Sequence, residues 1–158
     1  SADANSLRKV VSLRVPQAVA WRVFTEKMGS WWPLATHKIG KAKAVNARIE
    51  PHVGGRWYEL GDDGSTCDWG RVLAWEPPSR LVLTWEINAD FQHDPNIKTE
   101  VELRFIAEGK DDTRVELEHR HLDRYGPRRD QIRGIFDSDA GWTMLLDAFA
   151  RVSEGGKS

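Results

Sequence analysis

At 158 residues the chain has the length of one ordinary domain and enough material to bury a continuous core. Its 40% hydrophobic and 30% charged residues exclude a disordered or fibrous chain, and a net charge of −1 offers no electrostatic footprint for nucleic acid or an anionic membrane. Cys67 is the single cysteine, so no intramolecular disulfide can form and a reducing, cytoplasmic compartment is expected. No apolar run approaches the length of a membrane span, and no basic-then-apolar leader precedes the first patterned segment. The unusual feature is eight tryptophans, Trp21, Trp31, Trp32, Trp57, Trp69, Trp75, Trp85 and Trp142. Each brings a large apolar body and one N–H that needs an acceptor when buried. They read either as bulky core pieces or as rigid cavity walls, and composition leaves both open.

Residues 7–15 alternate, with Leu7, Val11, Leu13 and Val15 on one face and Lys9 as the polar interruption, which predicts a first strand. Pro16 then opens a helix at a position where its missing N–H costs nothing. Ala20, Val23, Phe24 and Met28 form the apolar stripe of that helix, and Gly29 is expected to end it. Ser30-Trp31-Trp32-Pro33 reads as a short second helix or a tight loop. From Val45 the pattern becomes a meander: residues 45–50 alternate up to Pro51, residues 56–60 follow Gly54-Gly55, and Asp62-Asp63-Gly64 turns into residues 66–75. Gly70 lies inside that strand, where the parity shift from Cys67 and Trp69 to Val72 and Ala74 predicts a bulge.

Beyond Pro77-Pro78-Ser79, residues 80–87 place Leu81, Leu83, Trp85 and Ile87 inward. The polar stretch 88–97 is the longest connection in the meander, and residues 98–107 then turn Val101, Leu103 and Phe105 inward. After Gly109-Lys110-Asp111-Asp112, residues 114–121 place Val115, Leu117, His119 and His121 on one face. From Pro127 one helix is predicted to carry the chain to its end, with Trp142, Leu145, Leu146, Phe149 and Val152 as its stripe. Sequential strands with helices kept apart from them argue an α+β fold with an antiparallel sheet, as a single domain over residues 7–153. Residues 1–6 and 154–158 are expected to be flexible termini.

This order carries Trp31-Trp32-Pro33, Ile49-Glu50-Pro51, Gly54-Gly55-Arg56, Trp69-Gly70-Arg71-Val72, Trp75-Glu76-Pro77-Pro78, Leu83-Thr84-Trp85, Leu117-Glu118-His119 and Gly141-Trp142. In that series the chain resembles the START-like (SRPBCC) superfamily, and within it the family named after the activator of the ninety-kilodalton heat-shock protein's ATPase. The resemblance runs from about Val11 to Val152. It implies the helix-grip fold, a curved antiparallel sheet wrapped around a long C-terminal helix with a cavity between them. Relatives hold lipids, sterols, hormones and polyketides there, and some cyclise or dehydrate substrates. The eukaryotic co-chaperone has an additional N-terminal domain, which the resemblance, starting near Val11, is not expected to include. Such an analogy implies a site rather than a reaction.

His119 and His121 lie two apart on a strand and so are expected to share a face, which is how a metal site begins, with Asp123 as a third ligand. No HExxH pattern or cysteine cluster supports metal, and no cofactor is implied. His119 is alternatively a general acid or base, with Glu50 or Tyr58 as partner, or a core histidine satisfied by a carbonyl or an indole N–H. The core reading leads. Trp31 and Trp32 either line the cavity mouth or plug it, and Trp85 and Trp142 are expected to face each other across the grip. Arg120, Arg124, Arg128, Arg129 and Arg133 are offset by Asp123, Asp130, Asp137 and Asp139, which reads as a solvated ionic surface.

The wall residues expected of the cavity are Trp31, Trp32, Trp69, Leu83, Trp85, Phe105, His119, Trp142, Leu145 and Phe149. A binding protein for a small hydrophobic or amphipathic molecule is favoured. A cyclase or hydrolase using His119 is the alternative, and a chaperone or protein-interaction regulator the third reading. Neither nucleic acid nor membrane is an expected partner; a homodimer is compatible with the pattern.

Overall fold

A computed structural model describes residues 3–156. The chain runs β1 (Ser6–Leu13), α1 (Gln17–Glu26), a 3₁₀ turn (Met28–Ser30), β2 (Ala44–Ile49), β3 (Arg56–Gly61), β4 (Thr66–Glu76), β5 (Arg80–Trp85), β6 (Thr99–Ala107) and β7 (Thr113–Arg120). A 3₁₀ segment (Leu122–Arg128), α2 (Arg129–Asp137) and α3 (Trp142–Ser153) follow. The seven strands form one curled antiparallel sheet in the order β1-β7-β6-β5-β4-β3-β2, which holds α3 in the helix-grip manner. Six consecutive strands, β2 to β7, each pair with the next in a meander, and β1 closes the sheet beside the last of them.

The period-two pattern builds the core directly. Leu7, His119, Val101 and Leu83 stand in register across β1, β7, β6 and β5, and Lys9, Leu117, Leu103 and Leu81 form the next rung. Lys9 escapes that rung by reaching the Asp137 carboxylate at 2.7 Å, at the end of α2. On the outer face Glu102 sits among Arg80, Arg104 and Arg120 at 2.6, 2.9 and 2.5 Å. Burial works to raise its pKa, but hydrogen bonds from Arg80 and Arg120 outweigh burial and hold the carboxyl below its usual range.

The bulge expected at Gly70 is present: Trp57 pairs with Gly70 and Tyr58 with Asp68, so Trp69 is the extra residue. A side chain at Gly70 would put its Cβ 1.8 Å from the Thr84 carbonyl oxygen, so the neighbouring strand can come this close only to glycine. The bulge turns the Trp69 indole inward, beside Trp57 at 5.5 Å.

Several expectations need correction. Helix α1 stops at Glu26, before Gly29, and Met28 is buried from the following 3₁₀ turn, where its sulfur accepts the Trp57 indole N–H at 3.2 Å. The long C-terminal helix is broken: α2 ends at Asp137, Ser138 is extended, and α3 starts at Trp142. Gly141 lets the two helices touch, since a Cβ there would lie 2.2 Å from the Phe136 carbonyl oxygen. His121 does not share a face with His119, because it lies beyond β7 in the left-handed region (φ 63°) and turns outward. Arg120 pairs with Glu100, Glu102 and Glu118 of the sheet, and Arg128 with Asp90, rather than with the nearby aspartates. Asn5 accepts the Leu122 N–H and Glu154 the Arg14 N–H, so the chain is tied down beyond 7–153 at both ends. Of the expected flexible termini, residues 1–2 and 157–158 lie outside the described residues.

Candidate functional site: an indole-walled cavity

A cavity of about 400 Å³ opens at the end of the grip, between the segment after the 3₁₀ turn, the β4–β5 wall and the α2–α3 break. Trp32, β4 Trp69 and β5 Trp85 form its sheet side, and Phe136, Trp142 and Leu145 its helix side. The rings lock one another: Trp32 tilts over Trp69 at 4.8 Å, Trp85 meets Trp142 at 5.6 Å, and Phe136 stands edge-on to Trp85 at 5.3 Å.

The N–H groups explain why these walls are rigid. Trp32 donates to the His37 carbonyl at 2.8 Å, Trp69 to the buried Glu59 carboxylate at 2.8 Å, and Trp142 to His119 Nδ1 at 3.1 Å. Glu59 also accepts the Ile39 N–H at 2.5 Å on the same oxygen, which ties the rim segment to the Trp69 wall. Trp85 is the exception: its indole nitrogen is buried with no partner within hydrogen-bond distance among the described residues.

His119 stands behind the Trp142 wall at 0% exposure and does not line the cavity. Its Nδ1 must accept, because the indole N–H can only donate. The ring proton therefore sits on Nε2 and is donated to Thr99 Oγ1 at 2.8 Å, and Thr99 passes its own hydroxyl hydrogen to the Trp85 carbonyl at 3.2 Å. Burial pushes the pKa of this imidazole down to about 3. A neutral, sealed histidine with both nitrogens committed is a poor acid or base, so the acid–base role considered for His119 is corrected to a structural one. The suggested partners lie elsewhere: Glu50 accepts the Arg56 backbone N–H, and Tyr58 stacks under the Arg56 guanidinium. The indole N–H donor foreseen in the core reading is the partner found on Nδ1.

The rim is polar on one side and apolar on the other. His37 Nε2 donates to the Ala140 carbonyl in the α2–α3 break at 2.7 Å, and Nδ1 accepts from the Thr36 hydroxyl at 2.7 Å. Across from it a turn projects Phe91, 41% exposed and held at φ 57°. Asn88 accepts the Asp90 and Gln92 N–H groups, and Arg128 grips Asp90 and the Ala89 carbonyl, so the turn is fixed from both ends.

Of the ten wall residues expected from the pattern, Trp32, Trp69, Trp85, Trp142 and Leu145 border this cavity. Trp31 packs between Phe24 and Phe149 at 5.1 and 5.4 Å, and its N–H goes to the Val23 carbonyl. Leu83, Phe105 and Phe149 are fully enclosed in the core, because the inner sheet face and α3 fill the grip at that level. Thr36, His37, Lys38, Phe91 and Phe136 border the cavity without having been singled out in the sequence. Phe136 could have been found as the i+4 partner of Ile132, and Phe91 as the lone aromatic in a polar stretch. A larger recess of about 570 Å³ lies outside the grip, against α1 and Pro77-Pro78.

No group of three His, Cys, Asp or Glu side chains able to hold a metal occurs among the described residues. Burial, with Glu59 and Asp68 nearby, pushes the Cys67 thiol up and keeps it protonated. No helix among the described residues is long and apolar enough to cross a membrane.

The chain is 35% identical to an anthrahydroquino-γ-pyrone synthase, over 96% of this chain and 99% of that one, with a TM-score of 0.64. It is 30% identical to the self-sacrificing resistance protein CalC from Micromonospora echinospora, over 97% of both chains, with a TM-score of 0.70. A protein from Nitrosomonas europaea, at 17% identity, 98% of each chain and a TM-score of 0.67, shares the fold. No curated protein matches the chain. The family model described as "Activator of Hsp90 ATPase homolog 1-like protein" matches residues 14–154, and with the curled sheet and gripped helix this makes the chain a member of that family within the START-like superfamily.

Proposed function

We propose that this protein binds a small, flat, apolar or amphipathic molecule in the indole-walled cavity. The observation that carries the reading is the set of four tryptophans, Trp32, Trp69, Trp85 and Trp142, around a cavity of about 400 Å³. That volume falls in the usual range for small-molecule sites, ~300–1,000 Å³. Rigid indoles lose little freedom when a ring slides between them, so binding costs less ordering than a wall of flexible side chains would. A relative at 35% identity is named for a fused-ring product, an anthrahydroquino-γ-pyrone, which supports an aromatic ligand class.

The test is a titration of the protein with fatty acids, sterols, flavonoids and anthraquinones, read by tryptophan fluorescence and thermal shift. A saturable fluorescence change from a flat aromatic, weakened at least fivefold in Trp85→Phe and in Trp142→Phe, is the expected result. Saturable binding that ignores both substitutions would move the site elsewhere and overturn the reading.

A second reading, ring closure or dehydration inside the same cavity, is supported by the synthase relative. His37 is the imidazole on the cavity rim, and to act as acid or base it would have to release the Ala140 carbonyl or the Thr36 hydroxyl that now engage its two nitrogens. Turnover retained in His37→Ala would exclude that role.

A further inference from the structure

The cavity lining contains one charged side chain, Lys38, and no carboxylate. The Lys38 ammonium donates to the Gly40 carbonyl at 2.5 Å, which uses one of its three hydrogens. It makes no ion pair with any carboxylate among the described residues, whereas Lys9 pairs with Asp137 and the arginines of the outer sheet face are matched by glutamates.

The buried carboxylate next to this segment, Glu59, is already engaged. One oxygen accepts both the Ile39 N–H and the Trp69 indole N–H. These bonds fix the backbone on either side of the rim wall, so the residue before Ile39 is held at the cavity rather than ranging through solvent. The neighbouring polar groups are also spent, since His37 donates to Ala140 and Thr36 donates to His37. Lys38 is thus the rim group with hydrogens to spare, set at the edge of an aromatic enclosure where charge interactions are less damped than in open water.

We infer that the ligand of this cavity carries an anionic oxygen group, such as a carboxylate, on its aromatic frame, and that Lys38 receives it. The inference rests on the cavity being a binding site. It deepens that reading by adding a charge to the ligand and a direction to its pose: rings between the indoles, acid at the Lys38 rim. Lys38 then sets specificity by charge, while the indoles supply ring burial common to charged and neutral analogues.

The test uses anthraquinone-2-carboxylate and its primary amide, which have nearly the same shape and differ in charge at pH 7. The native protein should bind the carboxylate about fivefold more tightly, as expected for one partly shielded ion pair. The preference should shrink at 0.5 M salt, because the rim is open to screening. In Lys38→Met the ratio should fall to about one, and in Lys38→Arg it should persist; circular dichroism of each variant confirms the fold. Equal affinity for the two compounds in the native protein, or an undiminished ratio in Lys38→Met, would overturn the assignment to Lys38 while leaving the cavity as a site for neutral aromatics. Failure of both compounds to bind would overturn the cavity reading and this inference with it.

Discussion

Trp142 donates its indole N–H to His119, and that bond makes the imidazole's neutrality a matter of stability rather than catalysis. A second ring proton would set two donors against each other inside a dry core, which agrees with the pKa pushed down to about 3. In the unfolded chain the same residue titrates near 6.5. Its contribution to stability is therefore complete above about pH 6.5 and is lost as pH falls toward the folded value. The unfolded state binds the proton first, so the slope approaches ~1.4 kcal/mol per pH unit. Urea unfolding between pH 7.5 and 5 should show that decline, and His119→Gln should flatten it. His119→Ala leaves the Trp142 N–H and the Thr99 hydroxyl without their buried partner. It should cost about 2–4 kcal/mol at pH 7.5 in the same measurement.

The α2–α3 break and the Phe91 turn are the elements that shape the cavity, and each makes a prediction. Gly141→Ala forces a Cβ against the Phe136 and Ile135 carbonyl oxygens, which are backbone and cannot swing aside. It should destabilise by about 2–4 kcal/mol in urea and weaken ligand binding, because His37 is anchored to the same break through Ala140. Phe91→Gly should do the opposite to stability. It relieves a left-handed backbone costing roughly 1 kcal/mol, so the melting temperature should hold or rise. Ligand dissociation, followed by stopped-flow fluorescence, should nonetheless speed up, because the ring at the mouth is gone.

The strands were legible in the sequence because inward residues recur at every second position, and even the Gly70 bulge left a parity shift. The helix break is marked in the sequence by Asp137-Ser138-Asp139-Ala140-Gly141, a polar and small run. The buried apolar positions on both sides, Ile132 and Phe136 before it and Trp142, Leu145 and Leu146 after it, nonetheless make one continuous helix the simpler reading. The close approach that requires glycine at 141 appears only once both helices are docked.

At the scale of the molecule, the cavity sits at one end of an otherwise filled grip. Leu83, Phe105 and Phe149 close the middle, and the open volume lies where irregular segments meet the sheet. That explains why half of the expected wall residues lie elsewhere. Inward direction is periodic and readable, but depth along the grip depends on how the loops pack. His37, Lys38 and Phe91 sit in such loops, where no period marks a residue as facing anything. A ligand that binds the folded state alone should raise stability by about 2.7 kcal/mol at a hundredfold excess over Kd, visible as a higher thermal midpoint. Trp142→Phe, which disturbs both the wall and its His119 anchor, should lower the midpoint without ligand and reduce the ligand-induced shift as well.

Six of the eight tryptophans also form a continuous optical path. Trp31 lies 5.6 Å from Trp32, Trp32 lies 4.8 Å from Trp69, and the series continues through Trp57 and Trp85 to Trp142 in steps of 5.5, 5.7 and 5.6 Å. At such separations excitation hops between rings before it is emitted, and neighbouring transition dipoles couple. The cluster should emit as a single pool and give an exciton couplet in circular dichroism. One quenching ligand beside Trp85 would then darken indoles it never touches, including Trp31 in the closed interior.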